Sequence, residues 1–136
     1  MNIRIRNFYY LFAGVLAILF AVTHAWNGQS AVLPTLDMKA ISLGTQTVFT
    51  YVWHIITAEN LVIGIAFMIM SFQIERSKIQ LVAWMIVAIL IVRLMVILGI
   101  TALLDVSALT DTFIDSVAIL IYIALIILGT RMKKKQ

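Results

Sequence analysis

The sequence predicts an all-α integral membrane protein: one domain, a four-transmembrane-helix bundle with both termini cytoplasmic. Three observations lead there. Hydrophobic residues make up 63% of the 136 positions and charged residues only 12%, where a soluble domain is about one quarter charged. The apolar residues gather in four runs, about 8–26, 48–72, 79–103 and 112–130, each near the ~20 residues that cross a ~30 Å hydrocarbon layer. The basic residues cluster between those runs, in an order that sets orientation. At this length, with a mean hydropathy of +1.08, one membrane domain is the natural reading. A soluble fold of this size has no room to hide so much apolar surface.

The first run follows Arg4 and Arg6 and ends near Thr23-His24-Ala25. That order imitates a signal peptide, but an h-region usually runs only about 7–15 residues. A retained helix is therefore expected. The connection 27–47 is the long outer one. Asn27-Gly28 reads as a turn and Leu33-Pro34 as a helix break, with Leu36, Ala40 and Leu43 spaced for one face of a short interfacial helix.

The second run is the unusual one, because it carries His54, Thr57, Glu59 and Asn60 well inside its ends. The third and fourth runs are rich in Ile, Leu and Val without alternation, which favours helices over barrel strands. Arg76 and Lys78 separate the second and third runs, and Arg131 with Lys133, Lys134 and Lys135 follows the fourth. The outer connections hold only Lys39 among basic residues. This asymmetry puts both ends and the middle loop in the cytoplasm of a bacterial-type plasma (inner) membrane. The Lys-rich tail also suits anionic lipid headgroups, besides serving as an orientation signal.

Composition excludes several function classes. The net charge of +4 is spent on topology, so no nucleic-acid partner is expected. With no cysteine, thiolate metal sites and disulfides are out of reach. No Gly-rich phosphate loop, nucleophile elbow or zincin helix occurs, so no catalytic residue is nominated.

Candidate function rests on the intramembrane polar residues. An ionisable side chain in hydrocarbon costs roughly 2.5–3.5 kcal/mol unless partnered. His24, His54, Glu59, Arg93 and Asp115 fall at matching depths in the outer half of the bilayer, at about 1.5 Å per residue. His24 shares a helix face with Ala13, Ala17, Ala21, Asn27 and Gly28, small residues that admit a close neighbour. Thr47, Thr50, His54 and Thr57 share one side of the second helix, with Trp53 and Asn60 beside them and Glu59 about 140° away. Asp111, Asp115, Ala118, Tyr122 and Gly129 form one stripe on the fourth.

The binding or translocation cluster expected from this reading is His24, Asn27, Trp53, His54, Thr57, Glu59, Asn60, Arg93, Asp115 and Tyr122. Glu59 and Arg93, both near the midplane, are expected to meet, either as a register-fixing ion pair or as part of a proton or ion relay. His24 and His54 suggest metal or haem ligation, with a satisfied hydrogen bond for each as the plainer account. A small-ligand pocket open to the outer side, suited to a quinone or lipid headgroup, is a third possibility. The leading expectation is binding or translocation of a small solute, ion or proton, in a homo-oligomer or larger membrane complex. The alternative is a non-catalytic accessory subunit.

Overall fold

The computed structural model describes residues 4–37 and 41–132. Lys39, Ala40 and the tail lysines Lys133, Lys134 and Lys135 lie outside the described residues. Those residues are helical and contain no strand: α1 (Phe8–Asn27), a π-helical turn (Gly28–Val32), α2 (Leu33–Asp37), α3 (Leu43–Met70), α4 (Arg76–Leu104), a 3₁₀ turn (Val106–Leu109) and α5 (Phe113–Arg131). Four stretches among them, Phe8–Leu36, Leu43–Met70, Ser77–Leu104 and Phe113–Arg131, are long and apolar enough to cross a membrane. Their large apolar side chains also face outward: Val92, Met95, Val96, Ile100 and Leu103 are all more than half exposed. Such a surface suits a hydrocarbon solvent, in which a helix satisfies its own backbone.

The chain divides into two compact units, Gly14–Met68 and Met1–Ala13 with Ile69–Gln136. In the first, the rest of α1 runs antiparallel to most of α3. Gly14 and Gly64 face each other where the two helices cross. A Cβ on Gly14 would lie 2.9 Å from the Gly64 carbonyl oxygen, and one on Gly64 would lie 2.9 Å from the Gly14 oxygen. Only hydrogen fits at both positions, the device by which small residues bring membrane helices into backbone contact.

Two local expectations change in this unit. The turn at Asn27-Gly28 and the break at Leu33-Pro34 are absent, and the helix continues through a widened turn in which Leu33 N–H donates to Gly28 O. Pro34 follows directly in α2; inside a continuous helix it withdraws one N–H from the ladder, and the widened turn before it is where the chain departs from the α register. The Ser30 hydroxyl donates to Trp26 O at 2.8 Å and that of Thr35 to Val32 O at 2.6 Å. Helix α3 also starts at Leu43 rather than near 48. Ser42 explains the early start, since its hydroxyl oxygen accepts from Thr45 N–H at 3.3 Å and its carbonyl from Gln46 N–H at 3.0 Å. Capping outweighs the lower hydropathy of this first turn.

In the second unit α4 packs on α5. Ala83, Ile86, Val87 and Leu90 on α4 are buried, as are Tyr122, Ile123 and Ile126 on α5, spacings of three and four that put each set on one helix face. Asn7 starts α1, its side-chain oxygen accepting from Tyr10 N–H at 3.2 Å. The N–H groups of Arg6 and Asn7 both donate to Ser71 O, at 2.8 and 3.1 Å. At the far end of α4, Asp105 accepts from the Ser107 N–H at 3.0 Å and from its hydroxyl. Those two bonds, the hydroxyl's first, hold the Asp105 carboxyl below the usual carboxylate range.

Candidate functional site

The richest side-chain cluster in the Gly14–Met68 unit is built around Trp53. The indole lies flat on the His24 imidazole, with ring centroids 4.2 Å apart and an interplanar angle of 5°. Its Nε1–H donates to the His24 carbonyl oxygen at 2.9 Å. Space for the ring comes from Gly28, where a Cβ would stand 2.5 Å from Trp53 Cδ1. One glycine, one carbonyl and one imidazole thus fix the orientation of one indole. Gly28 is needed for close approach and not for a turn.

The next residue of α3 reaches the widened turn itself. Gln29 Nε2 lies 2.9 Å from His54 Nε2. The Gln29 amide and the His54 ring thus form one hydrogen bond, which fixes the direction of the imidazole. A π-helical turn often marks such a functional position, because it shifts helix register by one residue.

From His54 an open, shallow face extends along α3, formed by Gln46, Thr47, Thr50, Tyr51, His54 and Ile55 among others. The Thr47 hydroxyl donates to Leu43 O and that of Thr50 to Gln46 O, each at 2.9 Å. Gln46 Nε2 donates to Ile41 O at 3.1 Å. These local bonds let polar side chains sit on a helix without breaking it.

The residues nominated from sequence divide between the two units. His24, Trp53 and His54 form the cluster just described, and Thr57 joins it by donating its hydroxyl to Trp53 O at 3.3 Å. Asn27 is exposed beside Gly28; farther along α3, Glu59 is exposed and Asn60 half-buried. Arg93 is half-buried on α4, Asp115 exposed in the first turn of α5, and Tyr122 buried within α5. Glu59 and Arg93 belong to different units. The two histidines meet different neighbours, an indole face for one and a Gln29 amide for the other. Among the described residues, no three His, Asp or Glu side chains gather in a metal-binding group.

Sequence reasoning missed Gln29, Gln46 and Tyr51, and it read Gly28 as a turn. Gly28 lies one helical turn beyond His24, a spacing that signals a shared face. Gln29 carries no such signal, because its position depends on the π register.

A second polar cluster, also unforeseen, closes one end of the other unit. Asn7 Nδ2 donates to Gly129 O at 2.9 Å, and Gln80 Nε2 to Thr130 O at 2.8 Å. Both satisfy carbonyls at the end of α5 that lack helical partners. Between them is a cavity of about 40 Å³ bordered by Arg6, Asn7, Gln73 and Gln80, enough for a water molecule. The chain matches no family model, no curated protein and no solved structure.

Proposed function

We propose that this chain is a multi-pass membrane protein that binds a small solute at the outer end of its Gly14–Met68 unit, as a step in sensing or moving that solute. The observation that carries the reading is His54. It lies on the open face of α3, and its ring is held by Gln29 from a π-helical turn. An imidazole held in a fixed direction on an open helix face is a preorganised recognition group.

The orientation draws support from the polar cluster of the other unit. It ties the segment at Arg6, the turn at Ser71 and the end of α5 together by hydrogen bonds. Arg4, Arg6, Lys78 and Arg131 thereby come to one end, the arrangement that positive-inside topology requires. The chain has no cysteine, so a single introduced one reports its side cleanly. Ser107→Cys should react with a membrane-impermeant maleimide added outside intact cells, and Ser77→Cys only after permeabilisation. The opposite pattern would reverse the orientation.

Binding is tested with a variant in which Trp26→Phe and Trp84→Phe leave Trp53 as the sole tryptophan. In nanodiscs, a panel of small neutral and ionic solutes is titrated against its emission. A saturable change that His54→Ala abolishes is expected. If no solute class gives saturation, or His54→Ala leaves it intact, the binding reading fails. An accessory role is favoured instead if His54→Ala and Gln29→Ala lower thermal stability and change nothing else; the Gly14–Gly64 crossing, built purely for packing, is the observation on that side.

A further inference from the structure

We infer that the exposed face of α3 is the docking surface for a second copy of this chain, the two α3 helices packing in parallel. The inference goes beyond solute binding and does not depend on it. It starts from an imbalance among the four spans. Helix α3 carries His54, Thr57, Glu59 and Asn60 inside its length, yet only 11% of its apolar stretch is buried, against 28%, 22% and 33% for the other spans. In hydrocarbon, ionisable side chains normally face protein, so the span that holds them should not be the least covered. Its own unit covers one side only. There Trp53 lies on His24 and Phe67 is fully buried. On the opposite side Val48, Tyr51, Ile55, Val62 and Ile65 are each 45–65% exposed, and Ala58 among them is exposed as well.

The pattern on that side identifies the occupant. Its positions step by three and four, 48-51-55-58-62-65, the repeat of two helices in a left-handed pair. The a positions Val48, Ile55 and Val62 are all β-branched, the side chains favoured there in parallel two-stranded pairs. In the same frame His54 is a g position, and Glu59, five residues on, is the next e position. A parallel pair sets each g residue beside the e residue five further along the other helix, the contact that chooses partner and orientation. His54 of one copy therefore meets the partner's Glu59, an imidazole beside a carboxylate, and a two-fold axis makes that contact twice. Two copies inserted in one membrane share an orientation, so their α3 helices run parallel as this pairing requires. Lipid tails offer neither group a hydrogen bond. Trp53 and Phe67 occupy f positions, farthest from the seam, so the packing inside the unit stays intact. Ala58, a small d residue, lets the two backbones approach.

The chain has no cysteine, so single introduced ones report the seam in membranes treated with copper phenanthroline. Ala58→Cys and Ile65→Cys, both at d positions, should give disulfide-linked dimers. Phe49→Cys and Val92→Cys, 53% and 58% exposed in one copy but outside the seam, should stay monomeric. Cross-linking of these controls to the same extent, or of none of the four, overturns the inference. Association strength is read by energy transfer between donor- and acceptor-labelled copies in liposomes of increasing lipid-to-protein ratio. Glu59→Gln should weaken it about tenfold, because the His54 contact is lost twice per dimer. A folded Glu59→Gln protein that associates as tightly as the wild type refutes the register, and the inference with it. The cysteine variants keep Glu59, so their disulfide pattern decides the seam even if Glu59→Gln folds poorly. None of these readouts involves a solute, so their outcome stands apart from the binding test.

Discussion

Replacing Gly28 with alanine is the sharpest test of the Trp53 cluster, because helix propensity and packing push in opposite directions. In an unencumbered helix the change stabilises by about 1 kcal/mol. Here the new Cβ would overlap the indole, 2.5 Å from Cδ1 and 2.7 Å from Cε2, and the ring must move. Moving it breaks the Nε1–H bond to His24 O, worth about 1 kcal/mol, and the stack on His24, worth about 1 more. Repacking around the displaced ring adds about 1 kcal/mol. Set against the propensity gain, the net loss is about 2 kcal/mol. Unfolding of the detergent-solubilised protein by increasing SDS mole fraction, followed by near-ultraviolet circular dichroism, measures it. In a Trp53→Phe background the smaller ring loses the hydrogen bond beforehand, so Gly28→Ala should cost at least 1 kcal/mol less there, on the order of the usual coupling between touching residues. A Gly28→Ala protein as stable as the wild type, or strict additivity with Trp53→Phe, would refute the close approach.

Four further outcomes are expected. Gly64→Ala puts a methyl 2.9 Å from the Gly14 oxygen and 2.7 Å from Ile18 Cγ1 and should destabilise by roughly 1–3 kcal/mol. Gly99→Ala, with nothing within 4 Å, should be neutral or stabilising in the same unfolding assay. Asn7→Leu and Gln80→Leu each leave a carbonyl at the end of α5 without its donor and should cost about 1–2 kcal/mol; no loss in either would show that these amides are dispensable. Asp105 has its pKa lowered on folding, so its contribution is present above the ordinary carboxylate pKa and is lost as pH falls through the lower, folded value. The Ser107 amide NMR shift should therefore titrate with a midpoint below that of a free aspartate, and Asp105→Asn should abolish the titration.

Much of this molecule is legible without coordinates, for a physical reason. Hydrocarbon accepts only helices whose apolar length matches its thickness, so four apolar runs without alternation require four long helices. Periodicity likewise reached the inward face of α1: Ala13, Ala17 and Ala21 sit at helical spacing and are all nearly fully buried. The Thr47–Thr50–His54 side of α3 was legible in the same way. Each of these is a property of one helix taken alone.

What passes between helices was not legible. The π register that carries Gln29 to His54 depends on a one-residue shift that no local sequence pattern announces. Gly28 looked like a turn because glycine serves turns and close contacts equally well, and only the indole across from it settles which applies. The same holds for Asn7 and Gln80, polar residues at helix ends whose acceptors lie on α5, more than a hundred positions from Asn7 and fifty from Gln80 along the chain. Composition and period determined which segments are helices and, on α1, which face turns inward. Tertiary structure alone decided which polar atoms meet, because a hydrogen bond depends on position to within a few tenths of an ångström, and periodicity carries no information at that scale.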